Sequence, residues 1–416
     1  MNAMAPMRTM MTMPNHSEVA DRSIPMAPTV AAAQARIRAV RPADYARSRN
    51  AIDGAVSGLS PYITHGFVSL PQVLAGVDGR HALDVQHKFV YELGWREFFR
   101  HVWAQQGAAI FTSLHQGPLP DDAYQSELPA DIRHGCTGVP VVDRAVRELY
   151  NTGVLHNHAR MWLASYVVHV RKVHWRTGAD WLYAHLLDGD LASNHLSWQW
   201  VAGTGSSKPY LFNAENVARY APAAWHSEGS ILDTSYEELE RIARSPRRHV
   251  HATRTVQMSE ALAEPTLLHA PPDWLAATPP QAAQVEGRDV WLVHPWSLGE
   301  LPDDLAPNTL VVALLLSNFH TAWPWSEVRW RFVGERMREL TDCCWYSDAE
   351  AVASALKSAG RVRTTADPHL VQWLAQWAQC KQPAMLFPVV DRPCSSFSQW
   401  WNRASRGVKV AAELLL

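Results

Sequence analysis

Hydrophobic residues recur at spacings of three and four through the first half of the chain, the period that places them on one face of an α-helix. Between residues 31 and 222, no alternating pattern typical of strands competes with this period. The first half is therefore predicted to be all-helical. The clearest helical segments are 83–103, 141–151, 156–175 and 180–187.

The period changes in the last third of the chain. Short apolar runs, typical of buried strands, alternate there with helical segments, and this order predicts a smaller doubly wound, Rossmann-like α/β domain with a parallel sheet. The apolar runs are 290–293, 309–316, 343–346 and 384–387, and the helical segments are 328–340, 349–359 and 370–379.

These patterns divide the chain into four parts. Residues 1–30 are rich in Met and Pro without apolar periodicity, which predicts a disordered tail. Residues 31–222 form the helical domain. Residues 223–287 are first polar and then Pro-rich, which indicates a linker with short helices. Residues 288–416 form the α/β domain.

Composition adds three constraints. The 416 residues include 38 Lys and Arg against 40 Asp and Glu, so a site for a polyanion must be a local patch. No stretch approaches the roughly 20 apolar residues of a membrane-spanning helix, and no membrane association is predicted. Five cysteines without C-x-x-C pairs favour a reducing compartment, so the protein is expected to be cytoplasmic. The 19 tryptophans call for an explanation.

The segment Val56 to Tyr62 combines Ser57, Leu59 and Ser60 with a proline. Ser60 is predicted to cap a helix that begins at the proline, where free N–H groups favour an anion. Simple capping remains the alternative interpretation of this segment.

On a helix, Glu92, Trp95 and Arg96 share one face. They could line a cavity, or Glu92 and Arg96 could form a surface ion pair beside a core tryptophan. Further along, His156 and His158 lie on different faces and make a poor metal pair, so no metal site is predicted.

Asn157, Arg160 and Met161 share another helix face, and two carboxylates, Asp188 and Asp190, follow in the D-G-D-L-A-S-N segment. Paired aspartates could act as general acid and base. An arginine partner such as Arg160 would instead keep the nearer aspartate ionised.

Taken together, the segments W-R-E-F, TGVPVVDRAVRELYNTGVLHNHARMW and VHWRTGADWLYAHLLDGDLASNHLSWQW resemble the helical FAD-binding domain of the DNA photolyase/cryptochrome family, over roughly residues 41–213. The resemblance implies FAD as cofactor, whereas the antenna chromophore stays open. It also explains the tryptophans, since a photoexcited flavin needs oxidisable donors nearby.

The resemblance assigns the candidate residues to three roles. Arg160 is expected to pair with Asp188 beside the flavin ring, Asp190 to accept from a ring N–H, and Asn194 to face the flavin nitrogen whose protonation sets the redox form. The FAD-binding set is Tyr45, Ser57, Leu59, Ser60, Glu92, Arg96, Asn157, Arg160, Asp188, Asp190 and Asn194. The catalytic set is Glu92, Trp95, Asn194, Met161 and Trp200, and the electron relay is Trp198, Trp175 and Tyr124.

This sequence also departs from the family pattern. The third relay tryptophan is missing near Asp122, and Tyr124, two residues further on, is the candidate substitute. His158 replaces an arginine that contacts DNA, and we expect binding to tighten below about pH 6.5 as it charges. The family places an α/β antenna domain before the helical domain, whereas here an α/β unit follows it, which suggests a permuted order.

The resulting hypothesis is a light-driven, FAD-dependent repair enzyme, a deoxyribodipyrimidine photolyase-type lyase that binds DNA containing cyclobutane pyrimidine dimers. The alternative is a cryptochrome-like blue-light photoreceptor without repair activity. A repair enzyme should keep an open pocket lined by Trp95 and Trp200, whereas a photoreceptor could fill that pocket.

Overall fold

The computed structural model describes residues 26–248 and 261–416. Residues 1–25, which include most of the predicted tail, lie outside the described residues, as does the part of the predicted linker from 249 to 260. Among the described residues, no helix is both long enough and apolar enough to cross a membrane.

The first part of the chain is helical, as predicted. Its longest helix, α5, carries the Glu92 face, and α10 begins directly after the D-G-D loop. The helices are α1 (Val30–Ala39), α2 (Pro42–Ser48), α3 (Ser60–Thr64), α4 (Leu70–His81), α5 (Lys88–Gln106), α6 (Ala130–Arg133), α7 (Pro140–Thr152), α8 (Asn157–Ser165), α9 (Trp175–His185), α10 (Leu191–Ala202), α11 (Ala214–Tyr220) and α12 (Tyr236–Arg244).

The predicted helix over 156–175 is interrupted. α8 ends at Ser165 and continues as a π-helical turn through Val170. Lys172 then has a φ of +53°, a left-handed conformation that ends the helix. The next helix, α9, begins at Trp175, where the His174 side chain accepts a hydrogen bond from the Arg176 N–H. This helix includes most of the predicted helical segment 180–187.

The last part of the chain contains a five-stranded sheet in the order β5-β3-β2-β6-β7, in which all neighbouring strands are parallel. This arrangement confirms the predicted α/β fold class. The strands are β1 (Leu267–Leu268), β2 (Val290–Val293), β3 (Leu310–Leu316), β4 (Trp325–Ser326), β5 (Cys344–Ser347), β6 (Val362–Thr365) and β7 (Gln379–Lys381), of which β1 and β4 form a separate antiparallel pair. The helices are α13 (Ala282–Val285), α14 (Ser317–Ala322), α15 (Glu327–Leu340), α16 (Ala349–Leu356), α17 (Val371–Trp377) and α18 (Phe397–Ala404).

One strand prediction is wrong. Residues 384–387 form no strand, and the last strand is β7, a few residues earlier. The reason is a competing acceptor: the backbone N–H groups of Leu386 and Phe387 donate to the two carboxylate oxygens of Glu97 on α5, at 2.7 and 3.1 Å. The Leu386 and Phe387 side chains are buried, but their backbone is bound to the helical part of the molecule.

The helical and α/β parts share a hydrophobic core. Phe332 of α15 packs against Tyr62 and Phe67, with ring centroids 5.6 and 5.4 Å apart. Arg329, from the same helix, is fully buried and donates to the carbonyl oxygens of Tyr183 and Gly189 at 2.8 and 2.6 Å. The α/β part therefore supports the D-G-D loop directly.

The C-terminal segment returns to the helical part. α18 buries Phe397, Trp400 and Trp401 against α5. Gly94 permits this approach, because a Cβ at that position would lie 2.6 Å from the Trp401 ring. The two parts of the molecule are thus joined at the D-G-D loop and again along α5.

Candidate functional site

The segment that carries Ser57, Leu59 and Ser60 enters α3 through Gly58, whose φ of +62° suits glycine. The predicted cap at Ser60 is wrong, because Leu59 already has helical dihedral angles and is itself the N-cap residue. The Ser57 hydroxyl accepts from the Leu59 N–H at 3.4 Å, and Leu59 is buried. A Cβ at Gly58 would lie 2.5 Å from a guanidinium nitrogen of Arg36. No motif pointed to Arg36, yet it brings a cation to this loop.

Arg160 and Asp188 form an ion pair, as expected. Nη2 of Arg160 lies 2.8 and 2.9 Å from the two carboxylate oxygens of Asp188, and its Nε donates to the Leu155 carbonyl at 2.8 Å. The Asp188 side chain is only 7% exposed. The pair therefore holds α8 against the D-G-D loop.

Asp190 has partners that the sequence did not indicate. It caps α10 by accepting from the Ser193 N–H at 2.8 Å, and it lies 3.4 Å from Nη2 of Arg100. Burial alone would raise the pKa of Asp190, but Arg100, with His369 and Arg96, lowers it overall. Asp190 is therefore an ionised, buried carboxylate. Arg100 extends the Glu92 and Arg96 face of α5 by one turn, a spacing that could have identified it.

Arg100 also binds the α/β part of the molecule. Its Nη1 donates to Asp367 at 2.9 Å, and Asp367 in turn accepts from Nδ1 of His369 at 2.6 Å. His369 returns to the loop, since its Nε2 accepts from the Leu191 N–H at 3.3 Å. Burial opposes ionisation of Asp367, but Arg100 and His369 hold its pKa below the usual range. His369 thus fixes the start of α10 through Leu191, a residue about 180 positions earlier in the chain.

Three elements, α3, α5 and the D-G-D loop, meet at Arg96. Its Nη1 donates to the Thr64 hydroxyl at 2.8 Å, and that hydroxyl donates to the Asp188 carbonyl oxygen at 3.3 Å. Burial lowers the pKa of Arg96, whereas Asp190 and Asp188 raise it. Among the described residues, Arg96 donates this single side-chain hydrogen bond. A cation with donors to spare beside two aspartates suits a cofactor that presents both carbonyl oxygens and N–H groups, as a flavin does.

Asn194 is held by α9. Its Nδ2 donates to the Ala179 carbonyl at 2.8 Å, and the side chain is buried. Because Ala179 takes one of the two amide N–H groups, the second N–H and the amide oxygen remain, and the oxygen can only accept hydrogen bonds.

Glu92 pairs with a different arginine from the one the sequence suggested. Nη1 of Arg49 lies 2.9 Å from Oε1 of Glu92, whose side chain is 33% exposed. The alternative of a Glu92–Arg96 ion pair is therefore wrong, because Arg96 turns to Thr64. Burial raises the pKa of Glu92, and Arg49 opposes this shift. Nearby, Tyr45 packs edge-on against Phe89, and burial, followed by Glu92, raises its pKa.

Trp95 already has an aromatic neighbour. Phe397 of α18 stacks on its ring with centroids 4.0 Å apart and an interplanar angle of 11°. One face of the predicted base-stacking residue is therefore covered by this chain's own C-terminal segment. By contrast, Trp200 is 43% exposed and leans on Tyr210.

Two of the remaining candidates lie next to each other on α8. Asn157 is exposed and its Nδ2 lies 3.5 Å from Sδ of Met161, which is half-buried. Their neighbour His158 differs from the prediction. Its ring stacks on Tyr220. Burial lowers the pKa of His158, and the positive charge of Arg49 lowers it further, so the imidazole charges at a lower pH than expected.

The three relay candidates, Trp198, Trp175 and Tyr124, lie at or beside the N-terminal half of α9. Trp175 and Trp198 are both buried, and the Trp198 ring lies so close to Gly178 that a Cβ there would be 2.4 Å from it. Gly178 is one turn from Trp175 on the same helix face. His174 then bridges to Tyr124, with ring centroids 5.7 Å from Trp175 and 6.3 Å from Tyr124. Aromatic rings thus connect the buried indoles to half-buried Tyr124.

This geometry defines a class of protein: a helical bundle with a buried arginine–aspartate centre and a tryptophan-rich wall, joined to a parallel α/β domain. Residues 89–264 match the family model described as the FAD binding domain of DNA photolyase. The helical part of this chain is therefore similar to the photolyase/cryptochrome family, and the matched domain is one that binds FAD.

Individual relatives agree with this family. Deoxyribodipyrimidine photo-lyase of Streptomyces griseus is 38% identical over 169 residues, covering 39% of this chain and 36% of the relative. The enzyme of the same name from Escherichia coli (strain K12) is 37% identical over 215 residues, covering 50% and 43%. Cryptochrome DASH of Synechocystis is 35% identical over 173 residues, covering 39% and 35%.

Among solved structures, a Synechocystis cryptochrome is 30% identical with a TM-score of 0.41, covering 46% of this chain and 43% of that chain. The chain therefore spans less than half the length of these relatives. The α/β domain lies outside the matched family model.

Proposed function

We propose that this protein is a light-driven DNA repair flavoprotein that reverses cyclobutane pyrimidine dimers. The observation that carries the proposal is the convergence of α3, α5 and the D-G-D loop on Arg96, beside the ion pair of Arg160 on α8 with Asp188. The named relatives include both photo-lyases and a cryptochrome, so the family alone leaves the activity open. The division into a helical domain over 31–222 and an antenna-type α/β domain over 288–416 belongs to the same proposal.

Bound FAD would supply the photoexcitable electron donor. Arg96 and Arg160 would bind its polar groups, and Asp190 would accept from a ring N–H. The amide oxygen of Asn194 would accept a hydrogen bond at the redox-active nitrogen. A neutral amide there tolerates an anionic reduced cofactor better than a carboxylate would. Trp198, Trp175 and Tyr124 would pass electrons inward to reduce the cofactor.

Glu92 and Trp95 would act on the DNA. A flipped dimer costs less to unstack than a normal base pair, because its stacking is already damaged. In its protonated form, which burial favours and Arg49 opposes, Glu92 could donate a hydrogen bond to a dimer carbonyl and stabilise the charge that arrives with the electron. Trp95 and Trp200 would stack on the flipped bases, worth about 1 to 3 kcal/mol per base.

The test mixes photoreduced protein with dimer-containing single- and double-stranded oligonucleotides and counts the dimers reversed under light and in the dark. Glu92→Ala should lower the repair yield per photon more than lesion affinity, whereas Trp95→Ala should chiefly lower affinity. Trp373→Ala, at a half-buried tryptophan on α17, is the matched control and should change neither. Failure of lesion DNA to outcompete undamaged DNA at any pH would refute the repair proposal.

A second function is favoured by one observation: Phe397 already covers a face of Trp95. A photoreceptor could use such a covered pocket, because light would then move the C-terminal segment rather than repair DNA. Phe397→Ala distinguishes the two functions. Repair predicts higher lesion affinity in this variant. The photoreceptor function replaces repair if neither the wild type nor Phe397→Ala reverses dimers and light alters protease cleavage within residues 382–396.

A further inference from the structure

The C-terminal segment forms a surface pocket lined by three arginines. Its volume is about 450 Å³. The guanidinium groups come from both sides of the segment, since Arg392 precedes α18 and the other two arginines lie on its last turn and just beyond it. The lining residues are Val389, Val390, Asp391, Arg392, Arg403 and Arg406.

These arginines are not neutralised within the protein. Arg392, Arg403 and Arg406 are exposed, and among the described residues none of the three forms a salt bridge. Arg403 donates to Sγ of Cys394 at 3.3 Å. Asp391 is the one acidic lining residue, so the pocket carries a net positive charge although the whole chain carries −2. It is the kind of local patch that a polyanion site on this chain requires.

The position of the pocket relates it to the candidate lesion site. α18 turns Phe397, Trp400 and Trp401 toward α5, and its Phe397 stacks on Trp95. Arg403 lies six residues after Phe397, about 9 Å along the helix axis, on the exposed face. The arginine pocket therefore shares a helix, α18, with the residue that stacks on Trp95.

We propose that the pocket formed by Arg392, Arg403 and Arg406 is a phosphate-binding site for the backbone of DNA. One guanidinium group can donate two parallel hydrogen bonds to phosphate oxygens. Such backbone contacts supply affinity and orientation without reading the base sequence. The site would compensate for the arginine that His158 replaces. The inference deepens the proposed function, but it concerns backbone binding, which can be measured without repair.

The experiment measures binding of an undamaged, fluorescently labelled duplex in the dark, as a function of salt. A triple variant, R392Q/R403Q/R406Q, should bind at least tenfold more weakly at about 0.1 M salt. Its slope of log affinity against log salt should be shallower by about 2.7, which is 0.9 for each lost contact. The matched control, R38Q/R338Q/R361Q, removes the same charge from exposed arginines elsewhere and should keep the slope.

A second variant keeps the test decisive if the triple variant misfolds. Asp391→Asn removes the negative charge from the pocket and should tighten duplex binding severalfold. Equal losses in the triple variant and its control would overturn the proposal. So would arginine-dependent binding of inorganic phosphate alone, or of phosphatidylserine vesicles, without arginine-dependent duplex binding. If the wild type binds the duplex through these arginines but reverses no dimers under light, only the repair function is refuted.

Discussion

Glu97 links the C-terminal segment to α5, and its titration can be predicted in detail. Its carboxylate accepts from the N–H groups of Leu386 and Phe387, and the residue is only 4% exposed. Burial raises the pKa of Glu97 to about 7, against these two donors, which lower it. The change to make is Glu97→Gln, which removes the titration and keeps the size of the side chain.

The magnitude follows from the shift. A carboxyl group with a pKa near 4.5 in the unfolded chain and about 7 in the folded protein binds more protons when folded between these values. Stability therefore falls as pH rises through this range. Between pH 5 and pH 8 the folded wild type should lose about 2.5 kcal/mol through this residue, at 1.36 kcal/mol per pKa unit.

The assay is urea unfolding of the wild type and Glu97→Gln at a series of pH values, followed by tryptophan fluorescence. The quantity of interest is the difference between the two free energies of unfolding. It should move by about 2.5 kcal/mol in favour of the glutamine variant between pH 5 and pH 8. The control is Glu335→Gln, at an exposed position on α15, which makes the same chemical change away from the Leu386 and Phe387 contact.

The reasoning is refuted if the wild type and Glu97→Gln show the same dependence of stability on pH. A difference in the free energy of unfolding that stays constant with pH would come from the hydrogen bonds of the glutamine and not from titration. The introduced glutamine offers only one oxygen, so one of the two backbone N–H groups would face an NH₂ group, at a cost of about 1 to 3 kcal/mol at every pH. The pH series separates this offset from the titration.

Three further predictions concern the candidate flavin site. Asp188→Asn should lower the free energy of unfolding by about 1 to 3 kcal/mol, measured by urea unfolding, and should lose FAD on gel filtration, because the half-buried Arg160 loses its counter-ion. Trp198→Phe should retain FAD but block its photoreduction, followed by flavin absorbance under blue light, and Tyr124→Phe should slow it; unchanged kinetics in the latter would exclude Tyr124 as terminal donor. Gly178→Ala should cost about 1 to 3 kcal/mol and slow photoreduction, since the new Cβ would displace the Trp198 ring; an unaltered rate would show that this packing does not set the relay.

The sequence by itself determined the elements and the local motifs. Apolar spacing of three and four residues is enough to predict an amphipathic helix, and α5, α7 and α9 lie where that spacing occurs. Arg160 and Asp188 could be paired because their segments match a family pattern. Arg100 was also within reach of sequence reasoning, since it continues the face of Arg96 by one turn.

The tertiary structure decided which groups meet across the chain. Glu97 binds the backbone of residues almost 290 positions later, and this contact turns a predicted strand at 384–387 into a loop. Asp367 reaches Asp190 through Arg100, and Phe397 covers Trp95. None of these contacts has a period or a spacing that a sequence can display. They depend on how two separately patterned domains pack, and that packing is set by the shapes of their buried faces.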